Sequence, residues 1–249
     1  YFCEVTFFRR RQISNMQKLS LENTRAIIWD WNGTLLNDLE ISIFSMNQIL
    51  GKLNLPFLST DKYKSIFTFP VKEYYTAAGI DFSVHDWDTM AHEFIANYRH
   101  NLPQATLHEG VAEMLGFFRK KQIKQFILSA MQQDFLMESV SAMNIPFYFD
   151  QIVGLNDHYA HTKEENAVLL VNETGLPKEN IVMIGDTLHD FEVAQAAGIP
   201  CILVACGHQS LERLQSSGGL VCRDLQEVVG LFSDRLKKQK IFVPKTRKQ

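Results

Sequence analysis

The sequence predicts an α/β protein: a doubly wound parallel sheet with an inserted all-helical domain. Three observations lead there. From Ile123 onward, short apolar runs alternate with segments of helical spacing, the pattern of a parallel sheet covered on both faces. Residues 38–108 break that rhythm and read as helices alone. The length, 249 residues, suits a core domain with a smaller insert.

Taken in order, "IIW" at 27–29 is a buried strand. Asp30 ends it, and Asn32-Gly33-Thr34 turn the chain. "DLEISIFSMNQILGKL", "TDKYKSIF", "VKEYYTAAG" and "SVHDWDTMAHEFIANYRH" follow as helices, with Ser59-Thr60 and Ser83 as N-caps. "IKQFILSA" is the next strand, residues 132–143 a helix, and "FDQIVGL" a short strand. Residues 164–173 are helical until Gly175-Leu176-Pro177 stops them. "IVMIGD" is a strand ending on an acid, and "LHDFEVAQAAG" a helix closed by Gly198. "CILVACG" is a strand, and residues 224–238 form the last helix. This gives a core of residues 21–37 and 109–238, a helical cap at 38–108, an N-terminal extension at 1–20 and a basic tail at 239–249. Within the extension, residues 1–15 precede Met16, which reads as an ordinary start.

Composition narrows the function classes. Hydrophobic residues are 46% and charged residues 21% of the chain, the balance of a soluble globular protein. The net charge of −3 offers no basic footprint for nucleic acid. No apolar run has the length of a membrane span. Cys3, Cys201, Cys206 and Cys222 form no C-x-x-C pair, so neither a zinc site nor a disulfide framework is expected. A reduced, cytoplasmic setting follows.

In parallel α/β sheets the ligand crevice lies at the carboxyl ends of the strands. Three strands end on polar groups there: Asp30 after "AIIW", Ser129 after "FIL" and Asp186 after "VMIG". Lys163 opens a helix that can reach the same crevice. A lone Asp or Ser at a strand end is most often a cap or turn residue, and a lone Lys is usually solvated. Together they suit phosphoryl transfer. Carboxylates hold Mg²⁺, one carboxylate can attack phosphorus, and Lys and Ser can bind the equatorial oxygens.

Four segments in this order resemble the haloacid dehalogenase superfamily. "DWNGTLL" at 30–36 is similar to its first motif, "FILSA" at 126–130 to its second, Lys163 to its third and "GDTLHDFEVAQAAGIP" at 185–200 to its fourth. The helical insert resembles the cap of the phosphoglycolate phosphatase-like branch. The resemblance implies a Rossmann-like core and a Mg²⁺-dependent phosphatase acting on a small phosphorylated metabolite. It implies that Asp30 is the nucleophile and a metal ligand, that the Asn32 carbonyl and Asp186 are further ligands, and that Asp190 supports the metal or orients Lys163. Ser129 and Lys163 bind the phosphoryl group, together with backbone around Gly33, Thr34 and Ala130.

Asn32 departs from the pattern. Phosphatase members normally carry an Asp two residues after the nucleophile, which donates a proton to the leaving alcohol. An amide cannot. The metal role survives because it uses the main-chain carbonyl. A general acid contributes about 10²–10⁴-fold, so substrates with good leaving groups are expected. His158, His161 and His189 are candidate replacements by position. Two alternatives stay open. One is a phosphonoacetaldehyde hydrolase-like phosphonatase with a cap lysine as Schiff base, Lys72 being preferred over Lys52, Lys62 and Lys64. The other is a degenerate phosphate-binding protein. "FTFPVKEYY" is the expected specificity segment, with Phe69, Lys72, Tyr74 and Tyr75 facing the site, and the hinges are expected near 36–38 and 107–110.

Overall fold

The structure is a computed structural model; it describes residues 21–155 and 162–239. The N-terminal extension, the tail beyond Gln239, His158 and His161 lie outside the described residues.

A six-stranded sheet forms the core. Its strands are β1 (Ala26–Trp29), β4 (Lys124–Gln132), β5 (Gln151–Leu155), β6 (Ile181–Gly185), β7 (Cys201–Val204) and β8 (Leu220–Cys222). The order is β5-β4-β1-β6-β7-β8, and every pairing is parallel. β1 is the switch point: the chain builds outward through β4 and β5 on one side, then through β6, β7 and β8 on the other. This is where an open α/β sheet leaves its crevice.

Strand periodicity assigns residues to the two faces. Ile27 and Trp29 point into one layer with Ile127, Val182 and Ile184. That layer is closed by α5 (Val111–Lys120), α6 (Gln133–Ala142) and α10 (Leu225–Gln239). Ala26 and Ile28 point the other way with Leu128 and Met183, against α7 (Lys163–Glu173) and α8 (Leu188–Ala197). All four residues of β1 are fully buried, which explains an apolar run without alternation. The two tryptophans are satisfied inside: Trp29 Nε1 donates to Gln125 Oε1 at 3.2 Å and Trp31 Nε1 to Ser139 Oγ at 3.0 Å.

The insert holds α1 (Leu39–Lys52), α2 (Thr60–Ile66), α3 (Val71–Ala77) and α4 (Trp87–Asn101). Leu39, Ile43, Met46, Leu50, Tyr63, Tyr74, Tyr75 and Met90 give it a core of its own. Ser59 caps α2 by accepting from Lys62 N. Ser83 is not a cap: α4 starts later, behind Asp86, and Ser83 turns on Asp81 instead. The insert is also not wholly helical. β2 (Leu36–Asn37) and β3 (Thr106–Leu107) pair antiparallel where the chain leaves and re-enters the core. Two strands running side by side there satisfy each other's backbone groups.

The sequence reading passed over α5, the short α9 (Leu211–Gln215) and β8. The helical spacing of α5 is nonetheless present, with Val111, Met114, Leu115 and Phe118 buried. Among the described residues no helix is long and apolar enough to cross a membrane.

Candidate active site

The first turn after β1 is built around close approach. Asp30 N donates to Ile184 O at 2.9 Å and extends the ladder one residue past the strand. Gly33 has φ +76°, and a Cβ there would lie 2.3 Å from Asp186 Oδ2 and 2.5 Å from His208 Cδ2. Only glycine fits. Thr34 is fully buried, and its Oγ1 lies 2.9 Å from Asp186 Oδ1 and 3.3 Å from Asp30 Oδ2. One hydroxyl therefore spaces two carboxylates.

Asp30, Asp186 and Asp190 bring carboxylate oxygens within 4.8 Å of one another, all buried. Lys163 Nζ sits 2.5 Å from Asp30 Oδ1 and 2.6 Å from Asp190 Oδ1. Thr162 and Glu165 hold Lys163 at the start of α7 with reciprocal capping bonds. Asp190 is the third residue of α8, and its Oδ2 accepts from Thr187 N and Thr187 Oγ1. Both its oxygens are thus occupied, and its clearest work is to anchor Lys163.

The electrostatics follow from this crowding. Burial drives the Asp30 carboxyl well above the usual range; Lys163 opposes that, while Asp190 and Asp186 add to it. Burial also lifts Asp186 to about 6, against the favourable His208 charge. Asp190 goes the other way: burial would raise it, but Lys163 and the Thr187 bonds bring it below the ordinary value. Lys163 stays charged because its two carboxylates outweigh its own burial. A divalent cation would oppose the upward push on Asp30 and Asp186, and clustered buried carboxylate oxygens are the donors it takes, so the residues present fit the metal.

Asn32 has a structural explanation. Its Nδ2 donates to Asp38 Oδ2 at 3.0 Å and contacts Tyr98 OH at 2.7 Å. Tyr98 OH donates to the same Asp38 oxygen at 2.6 Å, and Gly33 N donates to Asp38 Oδ1 at 2.8 Å. Asp38 is itself 1% exposed. An acid at position 32 would face a second buried carboxylate; an amide supplies the donor that Asp38 needs. His208 completes the group. Its Nε2 lies 3.3 Å from Asp38 Oδ1, its Nδ1 3.0 Å from Tyr63 OH, and its backbone N donates to Asp186 Oδ2 at 2.6 Å. Burial works to lower its pKa, but Asp38 dominates and brings it to about 9. Burial likewise works to raise Asp38, and His208 with the Tyr98 and Asn32 bonds outweighs it.

The carboxyl ends of the strands open into a cavity of about 450 Å³ roofed by the insert. Asp30, Asn32, Ser129, Ala130, Lys163 and Asp190 line it, as the sequence led us to expect. Ser129 Oγ accepts from Met131 N at 3.1 Å and lies 3.4 Å from Asn32 Oδ1. Three expected substrate-binding residues lie elsewhere. Lys72 is exposed on α3, its Nζ 5.4 Å from the Phe82 ring centroid and 5.7 Å from that of Trp87. A solvated ammonium costs less on that outer face than inside an aromatic cavity. Thr34 is not among the lining residues, because its hydroxyl is committed beneath them to Asp30 and Asp186. Gly33 is also absent from the lining, and its amide is committed to Asp38 and Leu36 O. His189 does not line the cavity either; it stacks on Phe69, with ring centroids 4.6 Å apart.

Asp38, Tyr63, Tyr98 and His208 were missed. His208 follows β7 and obeys the strand-end rule that found Asp30, so that signal was present. Asp38 stood beside the first turn and was read only as a hinge. Tyr63 and Tyr98 lie in the insert with nothing local to mark them.

Residues 27–204, more than half of the chain, match the family described as haloacid dehalogenase-like hydrolase. The chain belongs to the haloacid dehalogenase-like hydrolases. Curated relatives of this hydrolase include the phosphoglycolate phosphatase of Chromobacterium violaceum, 24% identical over 79% of this chain and 91% of that protein. The phosphoglycolate phosphatase of Pseudomonas fluorescens is also 24% identical, over 82% of this chain and 78% of its own length. Among solved structures, a haloacid dehalogenase-like hydrolase from Streptococcus pneumoniae superposes with a TM-score of 0.72 at 18% identity, covering 85% of this chain and 99% of that one. That likeness establishes the α/β core with its helical insert as the fold of the family.

Proposed function

We propose that this hydrolase is a Mg²⁺-dependent phosphatase that acts on a small phosphorylated metabolite through an aspartyl-phosphate on Asp30. One observation carries the reading: Asp30, at the carboxyl end of the central strand, is held by Lys163 and opens into a roofed cavity beside Asp186 and Ser129. Asp30 and Asp186, with the Asn32 carbonyl, would hold Mg²⁺, which would offset charge on the phosphoryl oxygens. An Asp30 oxygen forms a bond to phosphorus as the ester oxygen departs with its electron pair. Lys163 and the Ser129 hydroxyl hold the equatorial oxygens. Water then attacks phosphorus, the bond to Asp30 breaks, and orthophosphate leaves. The proton released from water balances the one gained by the departed alcohol.

Asn32 has no proton to give, so a leaving group that departs as its anion is favoured. The phosphonatase reading loses its support with Lys72 outside the cavity; among the described residues the lysine that lines it, Lys163, is held between two carboxylates. The same proposal places the protein in a reducing, cytoplasmic setting. The test is hydrolysis of acetyl phosphate with and without Mg²⁺, wild type against Asp30→Asn. Metal-dependent turnover that the substitution abolishes is expected; equal rates for the two proteins would end the proposal.

A further inference from the structure

The roof of the cavity bears on what the phosphoryl group is attached to. Phe67, Tyr74, Tyr75, Trp87, Phe94 and Ile95 face it from the insert. The rings meet edge to face or tilted: Tyr74 and Tyr75 have centroids 5.6 Å apart at 87°, and Tyr75 and Trp87 5.2 Å apart at 57°. Such a wall receives a flat apolar group.

Among the described residues, the cationic side chains that line the cavity are Lys163 and His208, and both are spent. Lys163 answers Asp30 and Asp190, and His208 answers Asp38. A second anionic group on the substrate, such as the carboxylate of a phosphorylated hydroxy acid, would be buried against rings without a partner.

Resting on the phosphatase reading above, we propose that the substrate is the phosphate ester of an uncharged aromatic alcohol whose ring lies against this aromatic wall. The missing acid at Asn32 agrees independently. A phenol ionises near pH 10, whereas an alkanol is about as weak an acid as water, with a pKa of about 15.7. The carbon–oxygen bond stays intact: the phosphorus–oxygen bond breaks, the aryl oxide leaves with the pair, and it takes its proton from solvent.

The test reads binding, so it does not depend on turnover. Wild-type protein with Mg²⁺ is titrated calorimetrically with benzylphosphonate, methylphosphonate and phosphonoacetate. Benzylphosphonate is expected to bind about 10–100-fold more tightly than methylphosphonate, the worth of burying one ring. Phosphonoacetate should bind no better than methylphosphonate. Equal affinity for the benzyl and methyl compounds, or tightest binding of phosphonoacetate, overturns the inference. Ring-selective binding without acetyl phosphate turnover would overturn the phosphatase reading and the substrate assignment with it, leaving a ring-binding cavity; turnover without ring selectivity would overturn this inference alone.

Discussion

Beneath the cavity, Asp30, Asp186, Asp190 and Lys163 are each less than a tenth exposed; Lys163 holds Asp30 and Asp190 by charge, and Thr34 and the His208 backbone hold Asp186. Above it, Tyr74, Tyr75, Trp87 and Phe94 hold one another by ring contacts. The floor hangs from strand ends and helix starts, so its geometry comes with the sheet. The roof belongs to a separate small core. Between them, Asp38, His208, Tyr63, Tyr98 and Asn32 join floor to roof by hydrogen bonds. On the proposed function, the reaction belongs to the floor, the choice of substrate to the roof, and their alignment to the buried polar group between.

The largest effects should come from the floor. Asp30→Asn should lower turnover of any substrate by about 10⁴-fold or more, measured by phosphate release. Lys163→Met should also cost stability, by about 3–5 kcal/mol, because it leaves Asp30 and Asp190 buried without their cation. Chemical denaturation would read this. A loss under about 1 kcal/mol would mean that the floor is less dependent on its ion pairs than its burial implies.

The joint should show a pH signature. His208 has its folded pKa raised to about 9 from an ordinary 6.5, so its stabilisation is full below about pH 6.5 and fades as pH rises through 9. Asp38, with a lowered pKa, contributes above the ordinary carboxylate range and is lost as pH falls. The stability difference between wild type and His208→Gln should therefore shrink from pH 7 to pH 10. A constant difference would assign His208 a packing role only.

Asn32→Asp is a smaller and sharper probe. The new carboxyl would face Asp38, and two adjacent carboxylates raise the pKa of one of them. It would thus carry a proton at neutral pH and could donate it. Hydrolysis of an alkyl phosphate should rise relative to acetyl phosphate, by up to about 10²-fold, at some cost in stability. An unchanged ratio would mean that proton donation does not limit the alkyl reaction.

The smallest effect belongs to the outer latch, where Gln209 Nε2 and Arg213 Nη1 both donate to Phe67 O. Arg213→Ala should shift KM a few-fold and leave kcat nearly unchanged, since the bond is partly exposed and worth about 1 kcal/mol. A large fall in kcat would place the latch in the chemistry.

Much of the floor was legible before any coordinates. Asp30, Ser129 and Asp186 each follow an apolar run, and Lys163 opens a helix. Local pattern reports such positions because strand ends and helix starts are short-range features. Lys72 was misplaced for the opposite reason: a lysine beside aromatic residues reads the same whether it faces a cavity or solvent. Asp38 and His208 stood near readable motifs, but their meeting spans 170 positions of chain and no local pattern encodes it.

The sequence by itself determined the parallel core, the helical insert, the converging carboxylates with their lysine, and the absence of a proton donor at Asn32. These rest on periodicity and on what each side chain can chemically do. Only the tertiary structure decided why that residue is an amide, which aromatic rings roof the site, and that among the described residues both cations lining it are already paired. Those facts depend on which distant side chains share a buried space, where an unpaired charge or donor is costly and every neighbour must answer it.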